Sequence, residues 1–344
     1  MSTVNISFKP KQTVKRLLLS LPDRAREVIV YRYGLGKDTK RMTLDAIGKI
    51  YGITRERVRQ IENYALTNIR KSEEYKQEKA VFTEIETLLH SLGGIMVEDD
   101  FLGHVSKDKS LQNQVFFLLV VGEPFRKNKE DDHFRHRWHV NEELSKSVED
   151  ALHKLYASLN NQDLLPESEM ISKFLNHLGD VSERYKNQEV VRRWLEISKV
   201  IGKNQLGDWG VSRSPNIKTK GMRDYAFLVI RKHGSPIHFR DVAKQITAMF
   251  KKKAHVATTH NELIKDPRFV LVGRGLYALA EWGYAPGVVR DVIRSVLEKG
   301  GPLTKEEVID KVMKERYVKE NTIVVNLQNP KYFKRDRGGK YLPA

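Results

Sequence analysis

The chain has 344 residues, no cysteine and a formal net charge of +17. Without cysteine there is no disulfide framework, thiolate zinc site or cysteine nucleophile, while 40% hydrophobic and 31% charged residues fit soluble, folded material. Charge is divided unevenly: residues 1–76 carry +9, 77–215 carry −5 and 216–344 carry +13, so the two basic ends are candidates for nucleic-acid contact and the acidic middle is not.

In chain order, the first strongly patterned stretch is Thr43 to Glu62. Leu44, Ile47 and Ile50 predict the apolar face of one helix, Gly52 a sharp turn, and Val58, Ile61 and Ala65 the stripe of a second helix, the order of a helix-turn-helix. That leaves Arg55, Glu56, Arg57, Arg59 and Gln60 facing outward. These residue types suit a major groove, where Arg forks onto guanine, Glu accepts from cytosine and Gln pairs with adenine.

The flanks carry a family resemblance. Leu21-Pro-Asp-Arg-Ala-Arg-Glu-Val-Ile29, Tyr31-Arg-Tyr-Gly-Leu35, Thr43-Leu44, Ile53 to Glu62 and Ala65-Leu66 closely resemble region 4 of the primary, housekeeping class of bacterial sigma factors, over residues 13–75. The resemblance implies docking on the flap of core RNA polymerase and reading of the −35 promoter element. Arg55, Glu56, Arg59 and Gln60 would be the base readers, Arg57 would lie close to phosphate, and Thr43 and Thr54 are further phosphate candidates. Nothing in the chain resembles region 2, which melts the −10 element, so a complete sigma factor is not expected.

Behind this head the sequence repeats. Leu92 to Val105, His233 to Ile246 and Lys299 to Val312 align almost without gaps, and a weaker copy runs from Leu152 to Trp209. Each reads as helix, Gly- or Pro-marked turn, helix, helix and a two-stranded ribbon, with ribbons at Phe125–Val140, Val200–Val211, Phe269–Leu279 and Tyr332–Leu342. That pattern is a winged helix. The expected fold class is therefore mainly α with small β-hairpin wings: a helix-turn-helix over 1–76, then tandem winged helices over 77–143, 144–215, 216–286 and 287–344. Joints are expected near Lys71–Lys79, Val140–Leu144, Ser212–Thr219 and Tyr284–Gly287.

The third repeat, over residues 220–285, resembles the HARE-type winged helix found in the RNA polymerase delta subunit, on Asp224 to Ile230, Gly234 to Val242 and Asp266 to Leu279 followed by Trp282. The resemblance implies contact with DNA or with polymerase and does not choose between them. Lys251, Lys252, Lys253, Arg268 and Arg274 would suit phosphate. In the last repeat Lys331, Lys334, Arg335, Arg337 and Lys340 surround Gly338-Gly339 as a cationic wing tip, while Tyr332, Phe333 and Tyr341 are expected to cover the small core.

Catalytic readings find little support. His133, His136 and His139 are spaced by three, which matches neither face of a strand, and are expected to be surface or wing histidines rather than metal ligands. Asp99-Asp100 and Asp131-Asp132 are expected at a helix N-terminus and a wing tip. There is no phosphate-loop, zincin or nucleophile-elbow motif. No enzyme activity, metal, cofactor, small-molecule substrate or membrane partner is expected, since Leu17-Leu18-Leu19 and Val115–Val121 are far too short to span a bilayer. The sequence therefore predicts a bacterial, cytoplasmic, nucleoid-associated transcription regulator that binds double-stranded DNA and core RNA polymerase. A flap-gripping accessory subunit and a non-specific architectural protein are the alternatives.

Overall fold

In the computed structural model, which describes residues 6–179, 183–284 and 287–344, the chain forms two compact units, Met1–Lys203 with Gly207–Ser212 and Asn204–Leu206 with Arg213–Ala344. Both are mostly helical with small antiparallel strand pairs, the expected fold class. Among the described residues, no helix is long and apolar enough to cross a membrane.

The first unit opens with α1 (Pro10–Leu19), α2 (Asp23–Tyr33), α3 (Leu44–Tyr51), α4 (Arg55–Lys71) and the short α5 (Glu73–Gln77). Helix α2 ends at Gly34, which takes the left-handed conformation at φ 61°, the usual glycine stop. The segment Lys71–Lys79, where the sequence suggests a joint, is instead helical and packed. Glu78 is buried, accepts from Thr13 Oγ1 at 3.2 Å and pairs with Arg16.

The first repeat follows as α6 (Lys79–Ser91), β1 (Ile95–Val97), α7 (Glu98–Val105), α8 (Lys109–Val121), β2 (Arg126–Asn128) and β3 (Arg137–His139). Strand β1 pairs with β3 in the register Ile95↔His139, giving the sheet order β1-β3-β2. This third strand is not legible in the sequence, because three residues directly after Gly93-Gly94 are too few to show alternation and read as part of the turn.

Leu17, Ile29, Tyr33, Ala65 and Ile69 from the head share one continuous core with Phe82, Leu89, Phe101, Phe117 and Trp138 from the repeat. Helix α8 packs against α1, α2 and α4. Polar contacts fasten the join: Asn113 Nδ2 donates to Gly34 O (3.0 Å) and Thr39 O (2.7 Å), and Arg70 donates to Val120 O (2.8 Å) and Val121 O (3.0 Å) at the end of α8. Arg70 thereby satisfies carbonyls that a helix C-terminus leaves without partners.

The second repeat has α9 (Glu142–Ser158), α10 (Glu167–His177), α11 (Gln188–Leu195), β4 (Ile201–Lys203) and β5 (Trp209–Val211). Here the extra strand shrinks to a single bridge, Leu165↔Trp209. Trp194 and Trp209 fill the core with Phe174, Val148 and Leu155.

In the second unit the third repeat comprises α12 (Met222–His233), β6 (Ile237–His238), α13 (Phe239–Phe250), α14 (Val256–Lys265), β7 (Phe269–Leu271) and β8 (Leu276–Leu279), with sheet order β6-β8-β7. The fourth comprises α15 (Val289–Gly300), α16 (Lys305–Glu315), α17 (Glu320–Leu327), β9 (Phe333–Arg335) and β10 (Tyr341–Pro343), with Leu303↔Tyr341 as its residual third strand. Phe333 and Tyr341 lie in its core, while Tyr332 is half-buried beneath Arg290, 4.4 Å from its ring centroid. Of the expected joint Tyr284–Gly287, Ala285 and Pro286 lie outside the described residues.

Candidate nucleic-acid interface

The turn between α3 and α4 is set by two glycines. Gly52 sits at φ 63°, where a side chain would be strained. At Gly48 a Cβ would stand 2.6 Å from Ile53 O, so only glycine lets the chain fold back this closely. Thr43 caps α3 by accepting from Ala46 N, and Thr54 caps α4 by accepting from Arg57 N, both at 3.2 Å. Val28, Ile47 and Val58 form the small core beneath, with Met42, Leu44, Tyr51, Ile53 and Ile61 around it. Ile50, expected on this apolar face, is 54% exposed; the turn of α3 brings Tyr51 inward in its place.

With Val58, Ala65 and Ile69 buried, α4 turns Arg55, Glu56, Arg57, Arg59 and Gln60 to solvent. Four of these pair among themselves: Arg59 donates to both Glu56 oxygens (2.7 and 2.9 Å), and Arg57 Nη1 donates to Gln60 Oε1 (3.0 Å). The Arg59 guanidinium holds the Glu56 carboxyl below the usual carboxylate range. Exposed pairs of this kind are weak because solvent screens them, so they order the side chains yet leave them free to exchange partners. The Arg55 side chain makes no hydrogen bond among the described residues and projects from the first position of the helix.

One helical turn further, Asn63 and Tyr64 extend the same outward face, Tyr64 being 55% exposed. Both follow Arg59 and Gln60 by four residues, the helical spacing that marks one face in the sequence. Tyr64, Ile61, Gln60 and Arg57 also line a groove of about 360 Å³ against Pro22, Arg24 and Ala25. Glu62 itself faces inward, accepting from Tyr33 Oη (2.8 Å) and Arg32 Nε (3.2 Å).

The remaining candidates are dispersed. Lys251, Lys252 and Lys253 form the exposed turn between α13 and α14. Arg274 is exposed in the β7–β8 connection, whose neighbour Gly273 bridges to Tyr317 of the fourth repeat. Lys334, Arg335 and Arg337 are exposed along the last hairpin, with Arg335 lying over the Tyr341 ring and bonded to its hydroxyl. Arg268 is a correction: it is consumed inside the third repeat, paired with Asp266 (2.7 Å) and Asp224 (3.1 Å), and its guanidinium lies 5.1 Å from the Phe227 ring centroid.

Of the histidines, His133 and His136 lie in the β2–β3 connection as expected, whereas His139 is buried. His139 is 1% exposed on β3, 3.3 Å from the Glu142 carboxylate, and burial pushes its imidazole toward the neutral form. His133 meets the His153 ring edge-on, with centroids 4.9 Å apart, while His136 accepts from Glu130 N (2.9 Å). Among the described residues no group of three or more His, Asp or Glu is placed to hold a metal ion. Asp99 and Asp100 lie in the first turn of α7, and Asp131 accepts from His133 N and Phe134 N in the β2–β3 connection.

Residues 17–71 match the family model for Sigma-70, region 4. Over 57 residues the chain is 49% identical to RNA polymerase sigma factor RpoS of Coxiella burnetii, covering 17% of this chain and 16% of that protein. Over 69 residues it is 41% identical to RNA polymerase sigma factor SigA of Listeria monocytogenes and to that of Listeria innocua, covering 20% of this chain and 18% of each. The chain thus spans less than a fifth of the length of these relatives. This segment is region 4 of the sigma-70 type, which ties the head to DNA binding and transcription.

Proposed function

We propose that the chain is a sequence-specific, polymerase-associated regulator of transcription initiation that reads a −35-like element through α4, and that promoter opening is not among its own activities. The observation that supports this best is the division of α4: its inner face is sealed in the core, and its first turns present Arg55, Glu56, Arg59 and Gln60 together on a capped, rigid helix. A helix of this diameter enters a major groove about 12 Å wide. There Arg55 and Arg59 would fork onto guanine, Gln60 would pair with adenine and Glu56 would accept from cytosine, while Arg57 and the Thr43 and Thr54 hydroxyls reach the flanking phosphates.

The similarity to RNA polymerase sigma factors supports core polymerase as the protein partner, and the nucleoid as the place of work. The resemblance of residues 220–285 to HARE-type domains supports winged-helix modules behind the head. No catalytic step is assigned.

Measuring Arg55→Ala on a TTGACA-like duplex tests the reading: binding should weaken by roughly 1–3 kcal/mol, with little change on unrelated duplex. Equal losses on both would leave a non-specific architectural role. Tight complex formation with core polymerase, combined with no sequence preference, would favour the accessory-subunit reading.

A further inference from the structure

Among the described residues one non-glycine residue has a left-handed backbone, Lys251 at φ 52°. It ends α13, while α2, α3 and α12 end at left-handed Gly34, Gly52 and Gly234. Glycine is the favourable residue there, and a lysine holds that geometry against its own Cβ. Strain kept at a surface turn calls for a use of the side chain.

The surroundings indicate the use. Lys251, Lys252 and Lys253 are all exposed, and none forms an ion pair among the described residues. Lys252 Nζ lies 4.6 Å from the Tyr225 ring centroid, which gives the turn a fixed side, and Ala254 N donates to Thr247 Oγ1 at 3.3 Å across it. No acidic residue occurs between Lys244 and Asn261. The helix that follows, α14, buries Thr259 and Leu263 and leaves Ala257, Thr258, Asn261 and Lys265 outward.

The corresponding third helices of the first two repeats are spent inside the fold. Helix α8 is buried against the head, and α11 buries Val190, Val191, Trp194 and Leu195 while Arg192 and Arg193 pair with Glu167 and Glu189. Among the described residues, this position faces solvent beside lysines without an ion pair in the third repeat of the basic second unit.

We propose that the Lys251–Lys253 turn and the outward face of α14 form a second, sequence-independent surface for duplex DNA, with the ammonium groups on backbone phosphates. This rests on the reading of the chain as a duplex-binding protein but not on base recognition by the head. The surface supplies affinity without a code, since phosphate contacts carry no sequence information.

The test uses the full chain on a duplex lacking any TTGACA-like sequence, with affinity followed against salt concentration. Lys251→Gly and Lys251→Ala should each lower the salt slope by about one and the affinity near 0.1 M salt by about five- to tenfold, while Lys251→Arg keeps both. Lys251→Gly alone should also raise Tm by roughly 2–4 °C, because it removes the backbone strain. A higher Tm with unchanged slope and affinity overturns the proposal. So does loss of binding to an acidic peptide with duplex binding intact, which would assign the turn to a protein partner. Preference for a TTGACA-like duplex should survive in all three variants, whereas loss of that preference in Arg55→Ala, with the salt slope intact, concerns the head alone.

Discussion

Helices α4 and α8 occupy the same position, the last helix of a three-helix motif, and lie in one continuous core, yet they face opposite ways. Helix α4 keeps a narrow buried stripe and a charged outer face. Helix α8 buries Asn113, Val115, Phe117, Leu118, Leu119 and Val121 and keeps a half-buried stripe at Gln112, Phe116 and Val120. Position within a motif therefore does not decide whether a helix reads a ligand. The distribution of apolar residues around its axis does, because a helix apolar on most sides is stable only when covered.

This contrast can be broken most severely at α8. Phe117→Ala should cost about 3–5 kcal/mol by leaving a cavity under Tyr33, whose ring centroid lies 5.2 Å away, and urea unfolding monitored in the head and in the first repeat should shift together. Separate transitions would show that the shared core does not couple them. On the outward face of α4, Asn63→Ala should change stability by no more than about 0.5 kcal/mol.

A smaller effect sharpens the same comparison at the turn. Gly48→Ala drives a methyl against Ile53 O and should cost about 1–3 kcal/mol, reducing binding to a TTGACA-like duplex more than binding to unrelated DNA, because the angle of α4 changes. Removing the cap with Thr54→Ala should cost about 1 kcal/mol, read as a lower urea midpoint, with the weakened first turn also lowering the affinity of Arg55.

The smallest effect is electrostatic. Burial pushes the Glu149 carboxyl up, but hydrogen bonds from Arg137 Nε (2.6 Å), Asn128 and Ser145 hold it below its ordinary value. A depressed carboxylate stabilises the fold above its unfolded value near pH 4.3. That contribution should fade as the pH falls through the lower folded value, and Arg137→Gln should flatten the acid limb of the urea-midpoint profile.

Much of the head was legible in the sequence because its signals are local. Gly52 sits where a sharp turn is needed, and Ile47 and Val58 at helical spacing. The repeats were legible through recurring Gly and Pro turns, and so were the hairpins. Three kinds of feature stayed hidden. Strands as short as β1 and β6 have no period to detect. The fate of Arg268 depends on Asp224, 44 positions away. The packing of α8 on the head depends on surfaces made by α1, α2 and α4 together, so Lys71–Lys79, with its lapsed apolar periodicity and gathered charges, looks like a linker in the sequence.

Asn113 gives that packing a mechanical meaning. Its amide holds the carbonyls of Gly34 and Thr39, and its own oxygen accepts from Arg41 Nε at 2.8 Å, so both ends of the loop leading to Thr43 and α3 are anchored on α8. The loop behaves as a strut rather than a tether, and the entry angle of the motif is inherited from a side chain 79 positions beyond Gly34. A change at position 113 is accordingly felt where the helix-turn-helix begins.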